Sequence, residues 1–465
     1  MSADKDHLHP DWQNHGYALA QFVSEAEGNN DLLPLISTAI TDGFACMLGG
    51  ASSEVTGQLL DALVPSYGGD TPVYGTGKSL SPSYAAMVNA VSAHALDFDD
   101  WEDPGNTHPT AVVLPCLLAV ASHACASLRP SALPPSGRDF AHAYAVGLEV
   151  IMRLGEVLTL DHYARGYHAT ATLGAIGAAA AAARLMRLTP DQTLHALSLS
   201  VSQAIGYTGQ FGANAKALQA GFAARAGMES AVLAATGMTG QPHILTSRRG
   251  FVGLMGNYDA DRLDQMVATL GKPWGLSRYG IVIKPWPSCG YTHRVMTAAQ
   301  EARDKLAGRL DEITAIHVTM PDYHYAILPF GQPNDQNEAL FSLPACLGQI
   351  LIEGRLTTAD LRAKFWHNKT LKRLITLTTV TPQPAKNMNC NYDPDQPDRI
   401  AITLVDGTKI EASCVWPLGS PQHPMAEETH AAKFHDLTHH PLSAYSQFRK
   451  WIDKPDIVSY FRDYH

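Results

Sequence analysis

The chain has 465 residues, 45% of them hydrophobic and 17% charged, with 34 Lys+Arg against 44 Asp+Glu and a net charge of −10. That is apolar material for two or three domains with large cores, and it excludes an intrinsically disordered chain. A mildly acidic protein without a basic run is a poor fit to phosphate backbones or anionic membranes, so neither nucleic acid nor membrane is expected as a partner.

Residues 1–16 are polar and read as a disordered leader. From 17 to about 270 the pattern is helical. LLPLISTAITDGFACML and PSYAAMVNAVSAHALDF carry apolar residues three and four apart. Ser81-Pro82 supplies an N-cap and a proline at the first helical position. That helix runs into His94-Ala-Leu-Asp97-Phe-Asp99-Asp100-Trp101-Glu102-Asp103. His94 and Asp97, three apart near its end, share a face. Asp99 to Asp103 also matches the DDxxD spacing with which isoprenoid synthases hold magnesium on diphosphate. Pro104-Gly105 breaks the helix such ligands need, and Asn334-Asp335 lacks the companions of a second acidic motif. The plain alternative is a solvated acidic turn.

His108-Pro109 opens the next apolar run, and Gly166-Tyr167-His168 opens an Ala/Gly-rich segment that reads as a central buried helix. Both histidines fall at helix N-termini, where the dipole and unpaired N–H groups lower an imidazole's pKa and attract carboxylates. Each could equally be structural. Lys216 begins another apolar helix against the dipole, so it is either a snorkelling surface lysine or paired with an anion.

Past 275 the character changes. ITAIHVTM (313–320) reads as a strand, 374–380 as a Thr-rich strand, and 400–415 as a hairpin turning at Asp406-Gly407. Helices are expected near 291–307 and 340–353. The fold class is therefore mainly α: a helical domain of 17–275 plus 417–465, with a smaller inserted α+β lid at 276–416. Lys284, after Ile-Val-Ile, is expected to be anchored, and Cys289 sits before a helix without a general base to make it a nucleophile. The i, i+4 pair His435 and His439 has no third ligand in view. Gly75-Thr76-Gly77-Lys78-Ser79 lacks the first glycine of a P-loop, and GxGxxG, GxSxG and HExxH are absent. Seven scattered cysteines, none in a CxxC, point to a reducing compartment, and a cytoplasmic protein is expected.

In order and spacing, AHALDFDD (93–100), His108-Pro109, GYHATATLGAIGAAAAAARL (166–185), AKALQAGFAARAG (215–227), KPWPSCGYTH (284–293) and FSLPACL (341–347) resemble the MmgE/PrpD family. That family includes 2-methylcitrate dehydratases, cis-aconitate decarboxylases and an iminodisuccinate epimerase. The resemblance implies an enzyme without organic cofactor or metal. It also implies a homodimer, with the site in the cleft between a helical and an α+β domain. It puts the site residues on Asp97, His108, His168, Lys216, Lys284 and Tyr325. Cys289 falls where the animal decarboxylase has histidine, and Trp101 where many members have threonine; a bulky indole there would shrink or flatten the pocket.

The expected activity is a cofactor-independent lyase on a small di- or tricarboxylate, moving a proton beside a carboxylate. Lys216 and Lys284 would bind carboxylates, and His108, or else His168, would act as acid or base. Asp97 would orient them, and Tyr325 would donate from the second domain. Trp101, Cys289 and His94 would contact substrate. By analogy the first reading is dehydration of a 2-methylcitrate-like acid. The alternatives are cis-aconitate-type decarboxylation or epimerisation, then a magnesium-dependent isoprenoid enzyme or a non-catalytic carboxylate binder.

Overall fold

The computed structural model describes residues 10–123, 134–387 and 390–465. Residues 1–9 of the expected leader, Cys125 and part of the 130–137 linker lie outside them. The rest of the expected leader is not a tail: helix α1 spans Pro10–Glu25. Then follow α2 (Leu33–Gly50), α3 (Glu54–Leu63), α4 (Pro82–His94), α5 (Pro109–His123), α6 (Gly137–Ala164), α7 (Ala169–Leu185), α8 (Pro190–Val201) and α9 (Ala215–Ala235).

Two expectations for this stretch need amending. Gly68–Val73 and Lys78–Leu80 form an antiparallel hairpin, β1 and β2, inside the region read as all helical. The glycine-rich run rejected as a P-loop is its turn, with Gly75 and Gly77 at positive φ. Ser81 precedes α4 in extended conformation with Pro82 first in the helix, but its hydroxyl makes no capping bond.

α7 is the buried axis: every residue from Ala169 to Ala183 is buried, and α5, α6, α8 and α9 pack around it. Small residues make this crowding feasible. A Cβ on Gly227 of α9 would meet Ala178 Cβ at 2.4 Å and backbone of α7 at 2.8 Å. α2, with the turn before it, is apolar and long enough to cross a bilayer by composition alone, but it is mostly buried against α4 and the C-terminal helix Glu427–Thr438.

The second part holds a four-stranded sheet in the order β4-β3-β5-β6. β3 (Ile313–Pro321) pairs parallel with β4 (Thr378–Gln383) and antiparallel with β5 (Asp398–Leu404), which pairs antiparallel with β6 (Lys409–Cys414). The hairpin turns at Asp406-Gly407 as expected, with Gly407 at φ 82°. The strand expected at 374–380 is half helix: Lys369–Leu377 is helical, capped by Asn368 on the Leu371 N–H, and only then does β4 begin. Its Thr content suggested a strand, but burial of Leu371, Leu374 and Ile375 on one face decides for the helix. Helix His293–Leu306 covers β5 and β6.

The tail returns to the helical part, where Phe434, Phe448 and Phe461 are buried. Phe461 packs 4.7 Å from Phe44 of α2, centroid to centroid. Replacing Gly227 by Ala is expected to destabilise the protein by about 1–3 kcal/mol, because the backbone of α7 cannot yield to the added methyl. Urea denaturation should show the midpoint falling with an unchanged slope.

Candidate active site

Helices α5, α7 and α9 begin, and α4 ends, around one cavity. It is lined by Asp97, Trp101, Asn106, His108, Tyr163, His168, Thr170, Phe211 and Lys216 from the helical part. Cys289, Gly290, Tyr291 and Phe341 line it from the second part. It encloses about 410 Å³, including its open mouth.

Asp97 is the hub. It is 2% exposed and stands at φ 47°, a left-handed conformation that costs a non-glycine residue about 1–3 kcal/mol. Lys284 Nζ donates to its carbonyl oxygen at 2.9 Å and to its Oδ1 at 2.7 Å. Lys216 Nζ lies 3.0 Å from the same Oδ1. Burial opposes ionisation of Asp97, yet the two ammonium groups hold its carboxyl well below the usual range.

The lysines differ in what they have left to offer. Lys284 is fully buried and spent on Asp97, one layer behind the cavity wall. Lys216 is neither the surface lysine nor in need of a ligand to neutralise it, because Asp97 already compensates it. Its ammonium nevertheless makes no aligned hydrogen bond. It sits 5.4 Å and 5.2 Å from the ring centroids of Phe211 and Phe341. Its donors are available to a ligand.

Both histidines stand where the sequence put them, one residue before α5 and α7. His168 Nδ1 is 2.9 Å from Gln219 Oε1. That amide is fixed by Tyr207, whose N–H donates to Oε1 while Nε2 donates to the Tyr207 carbonyl. Nδ1 must therefore carry the proton, and the unpartnered Nε2 is left with a lone pair. Burial, together with His94 and Lys216, holds His168 well below the usual imidazole range. In His108, Nδ1 donates to the Asp100 carbonyl at 2.8 Å and lies 3.3 Å from Asp99 Oδ2. Its Nε2 is 3.9 Å from Asp97 Oδ1. Burial pulls His108 down to about 4.

The acidic run is neither a solvated turn nor a magnesium face. Asp99 Oδ2 takes His94 Nδ1 at 2.8 Å, Asp100 takes Thr110, and Asp103 takes Asn391; Asp99 and Asp100 are buried and Asp103 is half-buried. His94 Nδ1, Asp99 and His108 form a relay in which the His94 ring packs 4.6 Å from that of His108. His94 thus backs the wall and does not line it. His94, Asp97, Asp99 and His108 each offer a donor atom within 4.8 Å of the others, the one such metal-competent group among the described residues. A cation there would have to displace the lysines and imidazole N–H groups that already serve those carboxylates.

Tyr325, expected to donate into the site, is not part of the lining, whereas Tyr163 and Tyr291 are. Tyr291 OH donates to Asn391 at 2.9 Å and accepts from Asn106 at 3.0 Å. Cys289 lines the cavity, but burial pushes its thiol up to about 12, so it stays neutral. A second buried pair escaped sequence reasoning. Lys433 Nζ of the C-terminal helix contacts Asp42 of α2 at 2.7 Å and the Phe98 carbonyl at 2.8 Å. It clamps the acidic turn from behind.

The pattern of the MmgE/PrpD N-terminal domain matches residues 17–263, and that of the C-terminal domain matches 286–453. The chain belongs to the MmgE/PrpD family. Among curated proteins it is 30% identical over 373 residues to cis-aconitate decarboxylase of Mus musculus, covering 76% of this chain and 71% of that one. It is 29% identical over 363 residues to the Homo sapiens enzyme of the same name, covering 76% and 72%. A third, from Aspergillus terreus, is 29% identical over 431 residues, covering 88% and 85%. The chain is an enzyme of the lyase class, and these relatives stand nearer to the decarboxylase reading than to the dehydratase one.

Replacing Lys284 by Met should cost stability toward the lower end of about 3–5 kcal/mol, since it strips a buried carboxylate of one partner while Lys216 still faces it. Asp97→Asn leaves Lys216 without its partner and should also cost stability, but combining the two substitutions should cost less than the sum of their single losses. Chemical denaturation of the single and double variants measures this, and additive losses would contradict the pairing.

Proposed function

We infer that this lyase decarboxylates an unsaturated tricarboxylate of the cis-aconitate type. The observation that carries the reading is the pairing, on one cavity wall, of an ammonium with unused donors and two histidines, His168 with an unpartnered Nε2 and His108 with its Nε2 3.9 Å from Asp97. Three helix N-termini converge on the same space and favour anions there. The names of the relatives support decarboxylation over the dehydration of a 2-methylcitrate-like acid.

Lys216 binds a substrate carboxylate. The bond to the departing carboxylate breaks and CO2 leaves; the electron pair forms a new carbon–carbon double bond, and the pair of the former double bond shifts to its far carbon. Negative charge then spreads toward a retained carboxylate, where Lys216 and the helix ends stabilise it. A proton must arrive at carbon. His108 is the better donor, because the Asp99 carboxylate behind Nδ1 supports its imidazolium form. His168, whose Nδ1–H is fixed on Gln219, serves as a neutral neighbour. Asp97 holds Lys216 in place, and Lys284 holds Asp97. The reading calls on the chain's own side chains alone.

Replacing His108 by Gln is expected to lower kcat on cis-aconitate by about 10²–10⁴-fold. Lys216→Ala should raise KM by about 10-fold or more for loss of a charge-assisted bond, and should lower kcat as well because the same ammonium stabilises the developing charge. Itaconate and CO2 formation gives both numbers, and wild-type rates in the two variants would sink the proposal.

The pH dependence has a definite sign. His108 in the empty site is neutral at pH 7, since its pKa lies at about 4. The productive complex needs the imidazolium, so binding takes up about one proton. Affinity should therefore weaken as pH rises from 7 to 8. Calorimetry in buffers of different ionisation enthalpy counts the proton directly, and no uptake would remove His108 from this role.

A further inference from the structure

Trp101 is 4% exposed and lines the cavity. Its position is fixed at both ends. Its backbone N–H donates to the Val282 carbonyl at 3.0 Å, and its carbonyl accepts from Val282 N–H at 2.8 Å. The indole stands edge-on to Tyr392, with centroids 5.1 Å apart. Its Nε1 edge lies over Gly290, where a Cβ would come within 3.2 Å of the nitrogen. Gly290 lines the same cavity, and a side chain at that position would crowd the Nε1 edge.

Nε1 is buried and has no hydrogen-bond partner. Leaving such an N–H unpaired costs about 1–3 kcal/mol. The neighbouring wall does not meet the need. Cys289 is a neutral thiol and a weak acceptor, and Tyr291 OH is already engaged with Asn391 and Asn106. Lys216 lies against Phe211 and Phe341, a separate stretch of the wall.

We propose that Trp101 is a specificity-determining residue whose indole N–H donates to a second carboxylate of the substrate, distinct from the one held by Lys216. The proposal deepens the polycarboxylate reading above and rests on it. An indole donates and cannot accept. It therefore favours a carboxylate oxygen at that point over a hydroxyl or amine that must itself donate. Being uncharged, it fixes orientation without adding a further cation to the site.

The test uses cis-aconitate with citraconate, glutaconate and itaconate, each lacking a different one of its three carboxylates. Each is titrated against wild type and Trp101→Phe by calorimetry, reading Kd, or KM where the ligand turns over. Trp101→Phe should weaken cis-aconitate and two of the dicarboxylates by about 10-fold or more, the loss expected for a hydrogen bond to a charged group. The third, which lacks the carboxylate that Trp101 holds, should bind both proteins alike. A variant with benzothienylalanine at position 101 keeps the ring shape and replaces N–H by sulfur; it should give the same pattern and guards against loss of packing. Equal losses for all four ligands, or no loss for any, would overturn the anchor while leaving the lyase reading intact. If wild type binds none of the four, the polycarboxylate reading falls and takes the anchor with it.

Discussion

The site depends on one carboxylate held between two ammonium groups. Asp97 stands in a disfavoured backbone conformation, and Lys284 bonds both its carbonyl and its side chain. Lys284 comes from the segment that joins the two parts of the chain, and the Trp101–Val282 bridge runs beside it. The same contact thus fixes the acidic turn, places Lys216, and joins the helical part to the α+β part. The arrangement is costly to desolvate and makes sense only as a positioned charge array. Its return is a cation whose donors are not consumed by the protein.

Around that triad the polar groups are arranged in depth. Lys216 and the two histidines face the cavity, while Lys284, His94, Asp99 and Gln219 fix their orientation and protonation from behind. Behind these, the Asp42–Lys433 pair holds the Phe98 carbonyl. Such support keeps an imidazole in one tautomer with its free nitrogen aimed at the ligand.

Much of this was legible in the sequence where a local rule applied. Proline after His108 and the Ala/Gly run after His168 put both histidines at helix starts, and both helices begin there. Asp406-Gly407 located the hairpin. What failed to show was depth. Two lysines in apolar surroundings look alike in sequence, yet one is hydrogen-bonded to Asp97 while the other, ion-paired with the same carboxylate, keeps its donors unused. His94 and His108 share the Asp99 carboxylate, and only the fold decides that His108 lines the cavity while His94 lies behind it. Tyr325 came from the family resemblance alone, and the fold puts Tyr163 and Tyr291 on the wall instead. Residues 374–377 read as strand because Thr content speaks for strands, while the tertiary burial that makes them the end of the 369–377 helix has no local signal.

The Asp42–Lys433 clamp spans 391 positions of sequence. The whole triad, from Asp97 to Lys284, is synthesised before Lys433 exists. A nascent chain therefore holds His108, His168 and Lys216 before the acidic turn has its rear support. The rear support of the cavity wall is thus the last part to be made, so a chain interrupted late in translation carries the lining side chains on a turn that is not yet pinned.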